Sequence, residues 1–253
     1  MVYIHCGGRY CMGTYIIGDI HGCFEDFLQM LNVINYNNND EIICVGDYID
    51  RGSQNYEMLR WIEDYPYNIL LIRGNHEDEF IANIEILDNF ANELNIDKTD
   101  IYSTKLLYQT IVTIPQIKNA YFDYYNTIFD LIHNNLTNLY QLKCWSDIMR
   151  KMPYIYKKQI NGTKHIITRA GCDVGSIDCY IYSRKATFVN NSIIITGHTP
   201  TILKDSFSFN NGYIYKKYNS KLNSTYINID CGCVYKKTYV NARLACLRLE
   251  DMK

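Results

Sequence analysis

The chain has no excess of charge of either sign: 25 lysines and arginines stand against 27 aspartates and glutamates, a net charge of −2. Without a basic field nothing holds a polynucleotide backbone over many phosphates, which disfavours a nucleic-acid polymer as partner. No apolar stretch approaches the ~20 residues that cross a bilayer, and no cleavable leader is visible. The expectation is therefore no membrane partner and a cytoplasmic location. No repeat or low-complexity linker divides the 253 residues, a length that buries most of its apolar surface in one domain. We expect an N-terminal tail over 1–11 and a single domain over 12–253. Nothing in the sequence sets the oligomeric state.

Cysteine, by contrast, is plentiful, with ten residues. Disulfide scaffolds belong to short secreted chains. Cys44 lies inside Ile42-Ile43-Cys44-Val45 and Cys246 inside Leu244-Ala245-Cys246-Leu247, where a thiol serves as a small buried hydrophobe. All ten are expected as reduced thiols. His5, Cys6 and Cys11 in the tail match no four-ligand zinc spacing.

The first half alternates short apolar runs with helical patterns: Tyr15 to Ile17 then Phe24 to Ile34, Ile42 to Val45 then Tyr56 to Tyr65, Ile69 to Ile72 then Glu77 onward. Such alternation predicts βαβ units and a buried sheet. Residues 77–150 read as a helical insertion, with Phe80, Ile81, Ile84, Leu87, Phe90, Ala91 and Leu94 at helical spacing. The Asn-, Tyr- and Ile-rich stretch from Asn119 to Leu142 shows weak periodicity and carries no assigned chemistry. Beyond Trp145, strands are predicted at Lys164 to Thr168, Ser192 to Thr196, Tyr213 to Tyr218, Thr225 to Ile229 and Arg243 to Leu249, completing a second sheet.

Each of the first three strands runs into a glycine turn bearing polar residues: Gly18-Asp19-Ile20-His21-Gly22, Gly46-Asp47-Tyr48-Ile49-Asp50-Arg51-Gly52 and Gly74-Asn75-His76-Glu77. Residues just past the carboxyl ends of strands in an α/β sheet converge on one crevice. Clustered carboxylates raise one another's pKa unless cations hold them ionised, so a metal centre follows from the pattern. An isolated Gly-Asp turn is ordinarily a turn former or a cap; three linked copies reverse that reading. Glu77 reads as a cap or first-turn residue favoured by the helix dipole. His133 and His165 lie outside every motif and stay unassigned.

These three motifs, in this order, resemble the phosphoprotein phosphatase family of metallophosphoesterases, which includes Ser/Thr protein phosphatases and diadenosine tetraphosphatases. Ile195-Thr196-Gly197-His198-Thr199-Pro200 and Ile229-Asp230-Cys231-Gly232-Cys233-Val234-Tyr235 extend the likeness. The resemblance implies an α/β fold, a two-sheet β-sandwich flanked by helices, with the insertion at about 77–150. It further implies two divalent ions, manganese, iron or zinc, with Asp19, His21 and bridging Asp47 on the first and Asp47, Asn75 and His198 on the second. Arg51 and Arg184, the latter in Tyr182-Ser183-Arg184-Lys185, would clamp phosphate; His76, oriented by Asp50, would protonate the leaving oxygen.

One position departs from the family pattern. Where a histidine before Ala-Gly would ligate the second ion, this chain has Thr168-Arg169-Ala170-Gly171. Arginine has no lone pair to offer a cation. Either the second ion is weakened or lost and activity with it, or the guanidinium partly replaces that ion's charge. His165, four residues earlier on the strand, lies ~13 Å away, whereas Cys172 or Asp173 in the following loop would be competent replacement ligands. The leading expectation is a metal-dependent phosphatase of the Ser/Thr protein phosphatase kind, acting through metal-activated water on a phosphorylated protein or small phosphoester. The alternatives are a dinucleoside polyphosphate hydrolase and a phosphate-binding pseudophosphatase.

Overall fold

The computed structural model describes residues 13–118, 126–172 and 176–252. The tail with His5, Cys6 and Cys11, and the candidate ligand Asp173, lie outside the described residues. Strand β1 (Thr14–Ile17), helix α1 (Phe24–Val33), β2 (Glu41–Cys44), α2 (Asn55–Ile62), β3 (Ile69–Leu71) and α3 (Asn75–Glu93) follow one another as the βαβ pattern predicts. Then come α4 (Ile101–Ile111), the single turn α5 (Pro115–Ile117), α6 (Asn126–His133) and α7 (Leu139–Arg150). The remainder is β4 (Ile155–Ile160), β5 (Thr163–Thr168), α8 (Ile177–Tyr182), β6 (Ser192–Thr196), β7 (Tyr215–Asn219), β8 (Ser224–Asn228) and β9 (Cys246–Arg248).

The strands form two sheets, ordered β3-β2-β1-β9 and β4-β5-β6-β8-β7. In the first, β1, β2 and β3 run parallel and β9 antiparallel; in the second, β5, β6 and β8 are parallel and the edges β4 and β7 antiparallel. Period-two alternation assigns each isoleucine to a layer. Ile16, Ile43, Ile167, Ile195, Ile227 and Leu247 face the space between the sheets. Their neighbours Ile17, Ile42 and Cys44 face the helices on the far side of the first sheet, while Ile166, Ile194 and Tyr226 face the outside of the second. The result is the two-sheet sandwich flanked by helices that the resemblance implied.

The described part of the insertion is built of helices joined by short turns and joins the helix-side core through Leu107, Ile111, Ile128, Leu131, Leu142, Trp145 and Met149. Glu63, just past α2, holds α7 in place by accepting from Trp145 Nε1 and Gln141 Nε2, each at 2.6 Å. Strand β4 is an element the sequence patterning did not predict. Its Lys157-Lys158-Gln159 centre lies on a sheet edge, where lysines discourage further pairing and blur the apolar alternation. The eight described cysteines are free. Among the described residues no helix is long and apolar enough to cross a membrane.

Candidate metal centre

The side chains singled out by the motifs stand just past the carboxyl ends of parallel strands. Asp19 and His21 follow β1, Asp47, Asp50 and Arg51 follow β2, and Asn75 and His76 open α3 after β3. From the second sheet, Arg169 follows β5 and His198 follows β6. The turns delivering them are tight enough to put His21 (φ 46°), Asp47 (57°), Asp50 (69°), Arg51 (69°) and His198 (72°) in the left-handed region. Non-glycine residues there cost about 1 kcal/mol or more each and persist only where surrounding structure fixes them. Glycine is needed beside them: a Cβ on Gly46 (φ 97°) would come within 2.8 Å of Gly74 backbone, and one on Gly197 within 2.1 Å of Asp19 Oδ1.

The fully buried Glu77 stitches two of these turns together. Its carboxylate accepts from the backbone N–H of Asp47 (2.9 Å), Tyr48 (2.8 Å) and Gly74 (2.9 Å). The bond to Gly74 caps α3, as expected; the other two brace the Asp47 turn, which the sequence did not signal. Burial and the nearby Asp47 charge push the Glu77 carboxyl up to about 7.

His76 and Asp50 form a buried dyad, with Nδ1 donating to Oδ2 at 2.7 Å. Burial works to lower the imidazole pKa, but the Asp47 charge and the Asp50 hydrogen bond outweigh it, and the pKa stands above the ordinary histidine value. Asp50 is itself fixed by Thr127 at the start of α6, whose Oγ1 donates to Oδ1 at 2.5 Å and whose N–H donates to the same oxygen at 3.2 Å. Thr127 lies in the stretch whose sequence carried no chemical signal, and only the fold reveals its role. Beside the dyad, Arg51, Asn75, His76, Glu79, Tyr182, Arg184 and His198 line a cavity of about 340 Å³. Arg51 and Arg184 are both exposed at this cavity.

Beneath it lies the metal-ligand constellation. His21 Nε2 is 3.8 Å from Asp19 Oδ2 and 3.5 Å from Asp47 Oδ2, and His21, Asp47 and His76 bring ligand atoms within 4.8 Å of one another. His21 Nδ1 lies 2.9 Å from the Ile49 carbonyl. Donation there leaves the Nε2 lone pair toward the carboxylates, the orientation a metal-ligating histidine takes. Arg51 Nη1 lies 3.0 Å from the same nitrogen.

Arg169 has no exposed surface, and its Nη2 donates to Asp19 Oδ2 at 2.6 Å and also to Asp47 Oδ2. Its Nε lies 3.5 Å from Asn75 Oδ1. Burial alone would raise the Asp19 carboxyl, but the guanidinium overrides it and holds the pKa at about 2. The same two carboxylates raise the Arg169 pKa against the effect of burial. Burial, followed by the Arg169 charge, pushes His198 down to about 2. Its neutral Nδ1 lies 3.0 Å from Asn75 Oδ1, and its buried Nε2 has no hydrogen-bond partner among the described residues.

These donors discriminate between the two expected ions. A carboxylate oxygen carries two lone pairs, so Asp19 Oδ2 and Asp47 Oδ2 can keep the guanidinium and still ligate one divalent cation on the His21 side. A second ion among Asp47, Asn75 and His198 does not fit. The guanidinium spans from Asp47 to Asn75, and His198 Nδ1 engages Asn75 Oδ1, which leaves the His198 Nε2 lone pair as the uncommitted donor on that side. Cys172 supplies no replacement ligand, since its thiol is engaged 3.3 Å from Thr187 Oγ1. A separate group, Cys23, Asp26 and Cys233, also converges within 4.8 Å, but Lys236 already neutralises Asp26.

A family model for calcineurin-like phosphoesterases matches residues 12–202. The symmetrical bis(5'-nucleosyl)-tetraphosphatase of Haemophilus ducreyi is 45% identical over 74 residues, which are 29% of this chain and 27% of that protein. The enzyme of the same name from Wigglesworthia glossinidia brevipalpis is 36% identical over 114 residues, 42% of each chain. The chain thus spans less than half the length of these curated relatives in either match. A crystal structure of a candidate diadenosine tetraphosphatase superposes over 97% of this chain and 92% of its own, with a TM-score of 0.55 and 14% identity, a likeness of fold. With three quarters of its length covered by the family model and its strand-end turns converging on one centre, the chain belongs to the calcineurin-like phosphoesterase family.

Proposed function

We propose that this protein hydrolyses phosphoester and phosphoanhydride bonds in small substrates, with dinucleoside polyphosphates as the favoured class. The observation that carries the reading is the buried His76–Asp50 dyad opening onto a cavity flanked by the guanidiniums of Arg51 and Arg184. Two planar forks of donors match the oxygens of a phosphoryl group and orient it. His76, held by Asp50 through Nδ1, presents Nε2 as the proton donor for the departing oxygen, and the Asp47 charge and the Asp50 hydrogen bond raise its pKa in favour of the protonated form. Asp19, His21 and Asp47 would hold a divalent ion, which would supply Lewis acidity toward the phosphoryl group and water. The named relatives favour a dinucleoside polyphosphate over the phosphoprotein substrate that leads from the sequence.

A second reading, a phosphate-binding pseudophosphatase, is favoured by one observation, the ion pairing of Arg169 with Asp19 and Asp47. Turnover separates the two. Purified protein supplied with manganese is assayed on diadenosine tetraphosphate, p-nitrophenyl phosphate and a phosphopeptide, beside His76→Asn. The hydrolase reading predicts cleavage of the dinucleotide in preference to the others, reduced ~100-fold or more in the variant. Phosphate binding without turnover on any of the three would leave the pseudophosphatase.

A further inference from the structure

We infer that Arg169 is a built-in cation that takes the place of one of the two metal ions, leaving a centre that binds a single divalent ion. An ion bridging Asp19 and Asp47 would cancel their repulsion and tie the turn after β1 to the turn after β2. The Arg169 guanidinium already does both, from a third strand end and from the other sheet. It is enclosed completely, and a Cβ on Gly197 would lie 2.7 Å from its Nη1, so the backbone there is shaped around it. Arginine stays protonated at any pH the fold survives, so this charge, unlike a metal, cannot dissociate.

The remaining donors agree with that count. On the far side of the guanidinium, Asn75 Oδ1 and His198 Nδ1 are 3.0 Å apart and engaged with each other. A divalent ion inserted there would face the fixed positive charge of the buried guanidinium at close range. On the near side, His21 Nε2 lies 3.8 Å from Asp19 Oδ2 and 3.5 Å from Asp47 Oδ2, each oxygen with a lone pair beyond the one Arg169 takes. The other cation there, Arg51 Nη1 at 3.0 Å from Nε2, belongs to an exposed side chain that can swing aside for an ion, as the enclosed Arg169 cannot. Phosphate would then meet one dissociable divalent cation and one permanent monovalent one, with Arg51 and Arg184 at the cavity. The inference takes the purpose of this charge from the hydrolase reading, but the number of ions is independent of turnover.

The test is metal content and magnetism of the full chain. Protein is stripped with chelator, saturated with manganese, desalted and measured by elemental analysis and electron paramagnetic resonance. We expect one manganese per chain with the spectrum of an isolated ion. Two per chain, an exchange-coupled spectrum, or none retained would each overturn the inference. Arg169→His, prepared in the same way, is expected to rise from one ion to two and to show coupling. A folded variant that still holds one ion would show that Arg169 is not what excludes the second. Should the variant fail to fold, the wild-type count and spectrum decide alone. Activity fails separately: one ion per chain without turnover would sink the hydrolase reading and leave the ion count standing.

Discussion

Asp50 does not itself line the cavity, yet it sets what His76 can do. Its carboxylate fixes the ring by accepting from Nδ1 and helps raise the imidazole pKa against burial. Asp50→Asn keeps the shape and removes the charge. The expected outcome in steady-state kinetics is a fall in kcat of about 10²-fold, with KM nearly unchanged because Arg51 and Arg184 remain in place. An unchanged kcat would remove the dyad from the account. Much at this scale was readable in advance: Asp19, His21, Asp47, Asn75 and His76 occupy glycine turns a few residues long, and local chemistry makes such turns recognisable. The substitution at Arg169 was equally visible as a departure. Its consequence was not, because which carboxylates a guanidinium meets depends on how two sheets stack.

Beyond α3, the helical insertion reaches the dyad through Thr127. Thr127, buried at the start of α6, both donates to the Asp50 carboxylate and accepts from the Asp50 N–H at 3.0 Å. Thr127→Val preserves volume and deletes the hydroxyl, leaving a buried N–H and a carboxylate oxygen short of a partner, a loss of about 1–3 kcal/mol. Urea denaturation should show that loss, and kcat should fall as Asp50 loosens; a variant as stable and active as the wild type would detach the insertion from the dyad. No reading of residues 119–142 would have found this threonine. Its helix carries an apolar stripe, Ile128, Leu131 and Ile132, but nothing in that stripe singles out the threonine, and its partner lies 77 residues away in sequence. Strand β4 was hidden for a related reason, because an edge strand is chosen by the sheet it joins rather than by its own alternation. Strands β1, β2, β5, β6 and β8 were legible because each is buried on both faces and reads as an apolar run.

Across the whole molecule, several imidazoles are held neutral by burial, and this makes stability depend on pH. His21 is pushed down to about 3 by burial and then by His76, and His198 to about 2. His165 on β5, well away from the candidate ligands, is lowered by burial as well. A histidine whose folded pKa is depressed binds protons first in the unfolded chain. Its contribution is therefore present above the ordinary value of about 6.5 and lost as pH falls toward the folded pKa. His165→Leu should accordingly lose less stability than the wild type between about pH 7.5 and 5.5, compared by urea midpoints; parallel pH profiles would contradict the burial argument.

At the same scale the two sheets meet at a centre where carboxylates from one are bridged by an arginine from the other. Anomalous diffraction from crystals of the full chain soaked in manganese tests this most directly. The account predicts a single peak beside Asp19, His21 and Asp47, with Arg169 still donating to both carboxylates. A pair of peaks with the guanidinium swung away, or no peak at these side chains, would contradict it.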